Sequence, residues 1–195
     1  MKIRKAHLKR ETTETKVDLE VNLDSAKKSS INTTIDFMDH MLTLFSAHAG
    51  ISLNIKAEGD TKIDDHHLVE DIGITFGLAF KQAIGDKRGI VRYGHFLLPM
   101  DEALAYVALD ISGRPHLSYQ ADIKFQTTGF NYDLIEEFLI AFVNNAGITL
   151  HIKMMKGRNN HHIAESIFKC FGRAMADAIS VNKKNKNIPS TKGIL

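Results

Sequence analysis

One stretch of the chain occurs twice, and this constrains the fold more than any other feature. Asp64-Asp65-His66-His67-Leu68-Val69-Glu70 returns as Asn159-Asn160-His161-His162-Ile163-Ala164-Glu165. Each copy is an adjacent histidine pair behind a residue type that favours a helix N-cap, with a glutamate four residues after the first histidine. The register extends both ways: Phe76-Gly77 falls on Phe171-Gly172, Phe45 on Phe142, Ala49-Gly50-Ile51 on Ala146-Gly147-Ile148, and Ile55-Lys56 on Ile152-Lys153. A small change of offset between these blocks marks a loop of unequal length. The chain therefore reads as two copies of one unit, as a search for internal repeats requires. In that register His40 falls on Glu137.

Local periodicity fills in the unit. Val17, Leu19, Val21 and Leu23 alternate with polar residues, the period of a half-buried strand, and an earlier strand is expected near Ile3 to Lys9. A short strand near Ile31 to Ile35, a helix over 38–48 ended by Gly50, a strand through Ile51, Leu53 and Ile55, and a helix over 65–84 complete the first half. The second half repeats the order. Strands are expected at Phe96 to Pro99, at Leu104 to Ile111 as a nearly continuous apolar run suited to a buried sheet position, and from Arg114-Pro115 through Tyr119, Ile123 and Phe125. A loop at Thr127 to Phe130, a helix over 133–146, a strand over 147–154 and a helix over 160–180 follow. The expected architecture is α+β, with two four-stranded sheets backed by helices. The first half spans 1–90, the second 91–184, and 185–195 forms a C-terminal arm.

On a helix, residues four apart share a face and adjacent residues point about 100° apart. His66 can therefore work with Glu70 and His161 with Glu165, while His67 and His162 look elsewhere. With His40 and Glu137 there are eight candidate metal ligands: His40, His66, His67, Glu70, Glu137, His161, His162 and Glu165. Shared between two ions they leave open positions on an octahedral metal. Imidazole and carboxylate without thiolate suit manganese, iron or zinc, and open octahedral coordination favours manganese. The zincin pattern is absent, because here the histidines are adjacent and the glutamate follows. Surface histidines at two helix starts are the plainer reading, and the duplication in register argues against it. His7, His48, His95, His116 and His151 have no such partners and read as exposed or hydrogen-bonded residues.

Composition narrows the partners. The 195 residues are 44% apolar and 25% charged with a formal net charge of +2, so a phosphate-backbone footprint is not indicated except at Lys183-Lys184. The single cysteine, Cys170, sits among Phe168 and Phe171 on a helical face and reads as packing. The first residues alternate charge and hydrophobicity without a continuous apolar stretch, and nowhere do about 18 apolar residues run together. No membrane and no nucleic acid are expected, and the location is expected to be cytoplasmic.

Phe37-Met38-Asp39-His40-Met41-Leu42, Ile63 to Asp71, Pro99-Met100-Asp101-Glu102, Leu109-Asp110-Ile111-Ser112-Gly113-Arg114-Pro115, His161-His162 to Glu165 and Pro189-Ser190-Thr191-Lys192-Gly193 together resemble the imidazoleglycerol-phosphate dehydratase family, in order along nearly the whole chain. The resemblance implies loss of water from imidazoleglycerol phosphate in histidine biosynthesis, and a duplicated fold of the ribosomal-protein S5 domain 2 type. It also implies two manganese ions per active site and a homo-oligomer of 24 subunits with active sites between them. It assigns manganese to His40, His66, His67, Glu70, His161, His162 and Glu165. At Glu137 the family usually has histidine, so this chain departs from the pattern there. Phosphate would be held by Arg92, Arg114, Ser190, Thr191 and Lys192, since guanidinium groups bind phosphate bidentately and lysine supplies a point charge. Glu14 matches a substrate-contacting glutamate, and Glu14 and Glu165 are the candidates for proton transfer. Two rival readings remain. A non-catalytic oligomeric metal-binding shell would leave the arginines and the tail without a use, and an RNA-binding module would need an aromatic, basic strand face that is missing.

Overall fold

The computed structural model describes residues 3–123, 129–182 and 186–195. Its first sheet is built from β1 (Lys5–Glu11), β2 (Thr15–Asn22), β3 (Ser30–Asn32) and β4 (Ser52–Gly59), in the order β1-β2-β4-β3. Its second is built from β5 (Tyr93–Met100), β6 (Ala103–Asp110), β7 (His116–Gln120) and β8 (Thr149–Lys156), in the matching order β5-β6-β8-β7. In each sheet the first three strands of that order are antiparallel and the last joins in parallel. Both parallel joins are crossovers through a helix, α1 (Asp36–Ala49) between β3 and β4 and α3 (Leu134–Ala146) between β7 and β8. Each half closes on a long helix, α2 (His66–Ile84) or α4 (Asn160–Ile179). The elements follow the expected order, and the fold is α+β.

The alternation in the sequence becomes one face of each sheet. Val17, Leu19 and Val21 are buried, while on the other face Lys16 pairs with Glu11, Asp18 with His7 and Lys9, and Glu20 with Lys5. Helices α2 and α4 lie on the apolar faces of the first and second sheets. The halves join helix to helix, α1 on α4 and α2 on α3.

At the centre, four phenylalanines, one from each helix, close a ring of contacts. The centroid separations are 5.7 Å for Phe45–Phe76, 4.8 Å for Phe76–Phe142, 5.7 Å for Phe142–Phe171 and 4.7 Å for Phe171–Phe45. These are the residues that the repeat pairs, Phe45 with Phe142 and Phe76 with Phe171, so the ring marks the point about which the halves are related. All four are buried, which stabilises the fold by roughly 1.5–3 kcal/mol for each ring. Beside it two glycines permit close helix approach. A Cβ on Gly77 would lie 2.6 Å from the Phe142 carbonyl oxygen, and one on Gly172 2.6 Å from that of Phe45.

Two local expectations are corrected. β6 is not buried on both faces: it alternates, with Val107 fully buried and Tyr106 37% exposed, because helices cover only one face of its sheet. The strand expected to run from residue 114 to 125 ends at Gln120. Ile123 packs against the core from outside the ladder, so its apolar character reflected burial and not strand pairing. Phe125, Thr127 and Thr128 lie outside the described residues, as do Lys183, Lys184 and Asn185.

Candidate active site

The start of α4 is held by two side chains. Asn159 caps it, its Oδ1 accepting the backbone N–H groups of His161 (2.9 Å) and His162 (3.3 Å). From the β5–β6 hairpin, Glu102 Oε1 accepts the N–H groups of Asn159 (2.9 Å) and Arg158 (3.2 Å). The entry to α1 is held differently, by Asp39 Oδ1 accepting from Thr33 N (2.7 Å) and Thr33 Oγ1 (2.6 Å). With α1 pressed on α4 at Gly172, the first turns of the two helices meet. His40 Nε2 lies 2.8 Å and His161 Nε2 2.9 Å from the same oxygen, Glu165 Oε1, and Lys169 Nζ binds the other oxygen at 2.5 Å. Burial of the Glu165 carboxyl opposes ionisation, but the hydrogen bonds from Lys169, His40 and His161 outweigh it and hold the group down at about 2.

In the first half, Asp64 Oδ1 accepts the His66 N–H at 2.9 Å, while Asp65, the N-cap residue of α2, makes no side-chain capping bond. His67 turns away from that face. Its Nδ1 lies 3.1 Å from Asp60 Oδ2 and 3.5 Å from Glu14 Oε2. The hydrogen bond to Asp60, with the charge of Glu14, raises the affinity of His67 for its proton. Asp71 anchors the helix to the sheet, accepting from Arg10 Nε at 2.7 Å and from Thr15 Oγ1. In the second half His162 Nδ1 meets Glu102 Oε2 at 2.8 Å. That hydrogen bond, the largest influence on both, raises His162 and lowers Glu102 to about 2.

Of the eight candidate ligands, the structure gathers some. Among the described residues, His40, His161 and Glu165 bring ligand atoms within 4.8 Å of one another, and so do Glu14, Asp60 and His67. His66, Glu70, Glu137 and His162 fall outside both groups. Glu137, half-buried on α3, belongs to no trio that mirrors the one around Glu165.

The phosphate candidates form a separate assembly. Arg92 grips Asp110 through Nε (2.7 Å) and Nη2 (3.0 Å), and its Nη1 donates to the Pro189 carbonyl at 2.8 Å, tying the tail to β6. Arg114 Nη2 stands 3.9 Å from the same Asp110 carboxylate, with a largely exposed side chain. The tail turns back on itself through Gly193 N–H to Ser190 O (3.1 Å), while Thr191 and Lys192 remain exposed. The chain end, Leu195, lies against Gly113, beside Lys87 Nζ. Among the described residues no ion pair or hydrogen bond joins this group to the histidine trio.

Sequence reasoning missed three participants: Glu102, Asp60 and Lys169. Glu102 could have been found from the repeat, since it precedes β6 as Glu14 precedes β2. Lys169 stands four residues after Glu165 on the same helix face. Asp60 carries no local signal, because only the return of the chain after β4 brings it to His67.

The donor chemistry fits a divalent ion. Two imidazole nitrogens and a carboxylate oxygen converge in the first trio without thiolate, which is a borderline-to-hard set. In the second, Asp60 Oδ1 is a buried oxygen without a hydrogen-bond partner beside His67, a cost that a cation would relieve. No helix among the described residues is long and apolar enough to cross a membrane.

Comparison with known proteins agrees with this chemistry. Residues 33–175 match the model of a family described as imidazoleglycerol-phosphate dehydratase. A protein of that name from Endomicrobium trichonymphae is 68% identical over 195 residues, covering 100% of both chains. One from Listeria welshimeri is 50% identical over 194 residues, covering 99% of this chain and 100% of the relative. The crystal structure of the Staphylococcus aureus N315 dehydratase superposes with a TM-score of 0.83 at 44% identity, covering 91% of this chain and 99% of that one. That of the Pyrococcus furiosus protein in complex with (S)-C348 gives 0.84 at 37%, covering 96% and 100%. The repeated histidine pairs, the mirrored sheets and these full-length matches together place the chain in the imidazoleglycerol-phosphate dehydratase family.

Proposed function

We propose that the chain eliminates water from D-erythro-imidazoleglycerol phosphate to give imidazoleacetol phosphate in histidine biosynthesis, and that it does so with two manganese ions per active site. The observation that carries the reading is the convergence of His40, His161 and Glu165 from opposite halves of the chain. His66, His67, Glu70, Glu137 and His162 complete the proposed ligand set, and they fit sites built where subunits meet.

The proton removed in this reaction is not adjacent to a carbonyl, so the imidazole ring itself must carry developing charge. A bound divalent ion supplies Lewis-acid stabilisation of that charge. The chain's residues do the rest. Arg92 and Arg114, both directed by Asp110, bind the phosphate with Ser190, Thr191 and Lys192, which fixes the distance from phosphate to ring. Glu165 is held ionised by Lys169 and two histidines, so it is a weak proton acceptor and a good ligand. Glu14, half-exposed at the β1–β2 hairpin and beside His67, is the better candidate to take the proton.

Assembly into a 24-subunit shell accounts for the separation of the arginine–tail group from the histidine trio. It is supported by the outer face of the second sheet, where Tyr93, Leu97, Tyr106 and Met155 are exposed, while the first sheet presents ion pairs there. The two halves, 1–90 and 91–184, with an arm at 185–195, are taken as the structural units, and the location as cytoplasmic. The test strips metal with a chelator and assays dehydration with and without manganese, counting metal per subunit. Activity that returns as about two ions bind per subunit is expected. Two bound ions without dehydration would overturn the reading in favour of a storage shell.

A further inference from the structure

The two halves present the same feature with different residues. In each, the second histidine of the pair turns its Nδ1 to a carboxylate: His67 to Asp60 at 3.1 Å and His162 to Glu102 at 2.8 Å. The sheet registers show why the donors differ. Lys16 faces Glu58 in the first sheet and Leu104 faces Lys156 in the second, beyond an irregularity at Leu104/Ala105. Gly59 and Gly157, one residue further along, therefore correspond. The packing agrees, because a Cβ on Gly59 would meet Leu68 and one on Gly157 would meet Ile163, the residue after the histidine pair in each half. The next residue is Asp60 in one half and Arg158 in the other. The second half thus has no acid at that place, and its acceptor comes from the β5–β6 hairpin.

We propose that Glu102 is the positioning residue of His162, accepting the Nδ1 proton so that Nε2 is left as the lone pair offered to a metal ion. This rests on the reading of His162 as a ligand. The carboxylate is well fixed for the task, since Oε2 takes the imidazole while Oε1 is held by two backbone N–H groups of the α4 start. Of the other carboxylates that act on the ring, Asp101 is 3.9 Å from Nε2 and largely exposed, too far for a hydrogen bond, and Glu165 acts by its charge alone. A ligand imidazole whose second nitrogen donates to a carboxylate is fixed in both tautomer and orientation. The same comparison separates two jobs in the first half. Asp60 orients His67, and Glu14, which holds the hairpin position of Glu102, is left free for chemistry.

The test measures manganese binding to the full-length assembled protein, from the electron paramagnetic resonance signal of free Mn2+, for wild type, E102A, E102Q, N159A and H162A. E102A is expected to weaken one class of site by about 10–100-fold, as loss of an outer-shell partner of a ligand histidine does. E102Q, which keeps an acceptor oxygen, should fall between E102A and wild type. N159A removes the helix cap but not the Nδ1 acceptor, and should stay within about threefold of wild type if the effect runs through the imidazole. Wild-type affinity in E102A, no recovery in E102Q, or an equal loss in N159A would each overturn the proposal. Wild-type affinity in H162A would instead remove His162 from the ligand set, and the proposal with it.

Discussion

Replacing Gly172 with alanine tests whether helix contact across the two halves sets the geometry of the site. The added methyl would sit 2.6 Å from the Phe45 carbonyl oxygen, 2.8 Å from His48 Cβ and 3.1 Å from Ala49 N, all on α1. Ordinary contact requires roughly 1 Å more, and two of these three atoms are backbone of a packed helix that no side-chain rotation can move. The cost therefore belongs at the upper end for overpacking, about 3 kcal/mol. Alanine returns about 1 kcal/mol through its better helix propensity. The net loss of about 2 kcal/mol lowers the melting temperature by about 4–8 °C in a chain of this size. The same two helices carry the 2.8 Å contact between His40 and Glu165. A shift of about 1 Å there breaks it and costs on the order of a hundredfold in turnover. Thermal unfolding at fixed protein concentration, with metal binding and turnover on the same samples, checks both parts. A melting temperature equal to or above wild type would mean that α1 and α4 can part at no cost, and would refute the argument.

Glu14→Gln should keep its full metal content while turnover falls by about a hundredfold or more, and near-normal turnover would remove Glu14 from the chemistry. Without metal, the pair of His162 with Glu102 stabilises the fold only while both are charged. His162 is raised, so its contribution is complete below its unfolded value of about 6.5 and fades as pH rises through the folded value; Glu102, lowered to about 2, contributes above its unfolded value of about 4.5 and fades as pH falls toward 2. Manganese must displace the imidazole proton, so affinity should fall as pH drops below the raised His162 value, the opposite sense, and titrations at pH 6 and 8 distinguish the two. Cys170 is fully buried and its thiol is pushed up to about 12 by that burial, so an aromatic disulfide reagent should label it only after unfolding. Arg92→Lys should raise KM for the phosphate substrate about tenfold, because a lysine cannot hold Asp110, the Pro189 carbonyl and a phosphate with one planar group.

The repeat made the architecture legible. It located both histidine-pair helices, the order of elements along each half and the glycines and phenylalanines at the centre, because packing around a twofold relation leaves paired residues in the sequence. The trio of His40, His161 and Glu165 was legible in its members but not in its grouping. Spacing puts His161 and Glu165 on one face, whereas the arrival of His40 depends on α1 crossing to α4. The mirrored grouping of His66, Glu70 and Glu137 is not found among the described residues, so equivalent positions did not imply equivalent contacts. Asp60 was invisible for a related reason, and Glu102 was marked only by standing before β6 as Glu14 stands before β2. They lie in turns, where no periodicity operates, and only tertiary closure brings them to a histidine. The apolar run in β6 misled because outward-facing residues such as Tyr106 are apolar although helices cover only the other face of the sheet.

The ring of Phe45, Phe76, Phe142 and Phe171 has a consequence for how such a protein can change over time. In a dimer of single units, one gene change alters both sides of the axis, so the two sides stay identical. Once both units lie in one gene, each side can mutate by itself while the shared aromatic centre keeps them docked. The exchange of His40 for Glu137, and of Asp60 for Arg158 with Glu102 in its place, are divergences that a symmetric ancestor could not have carried.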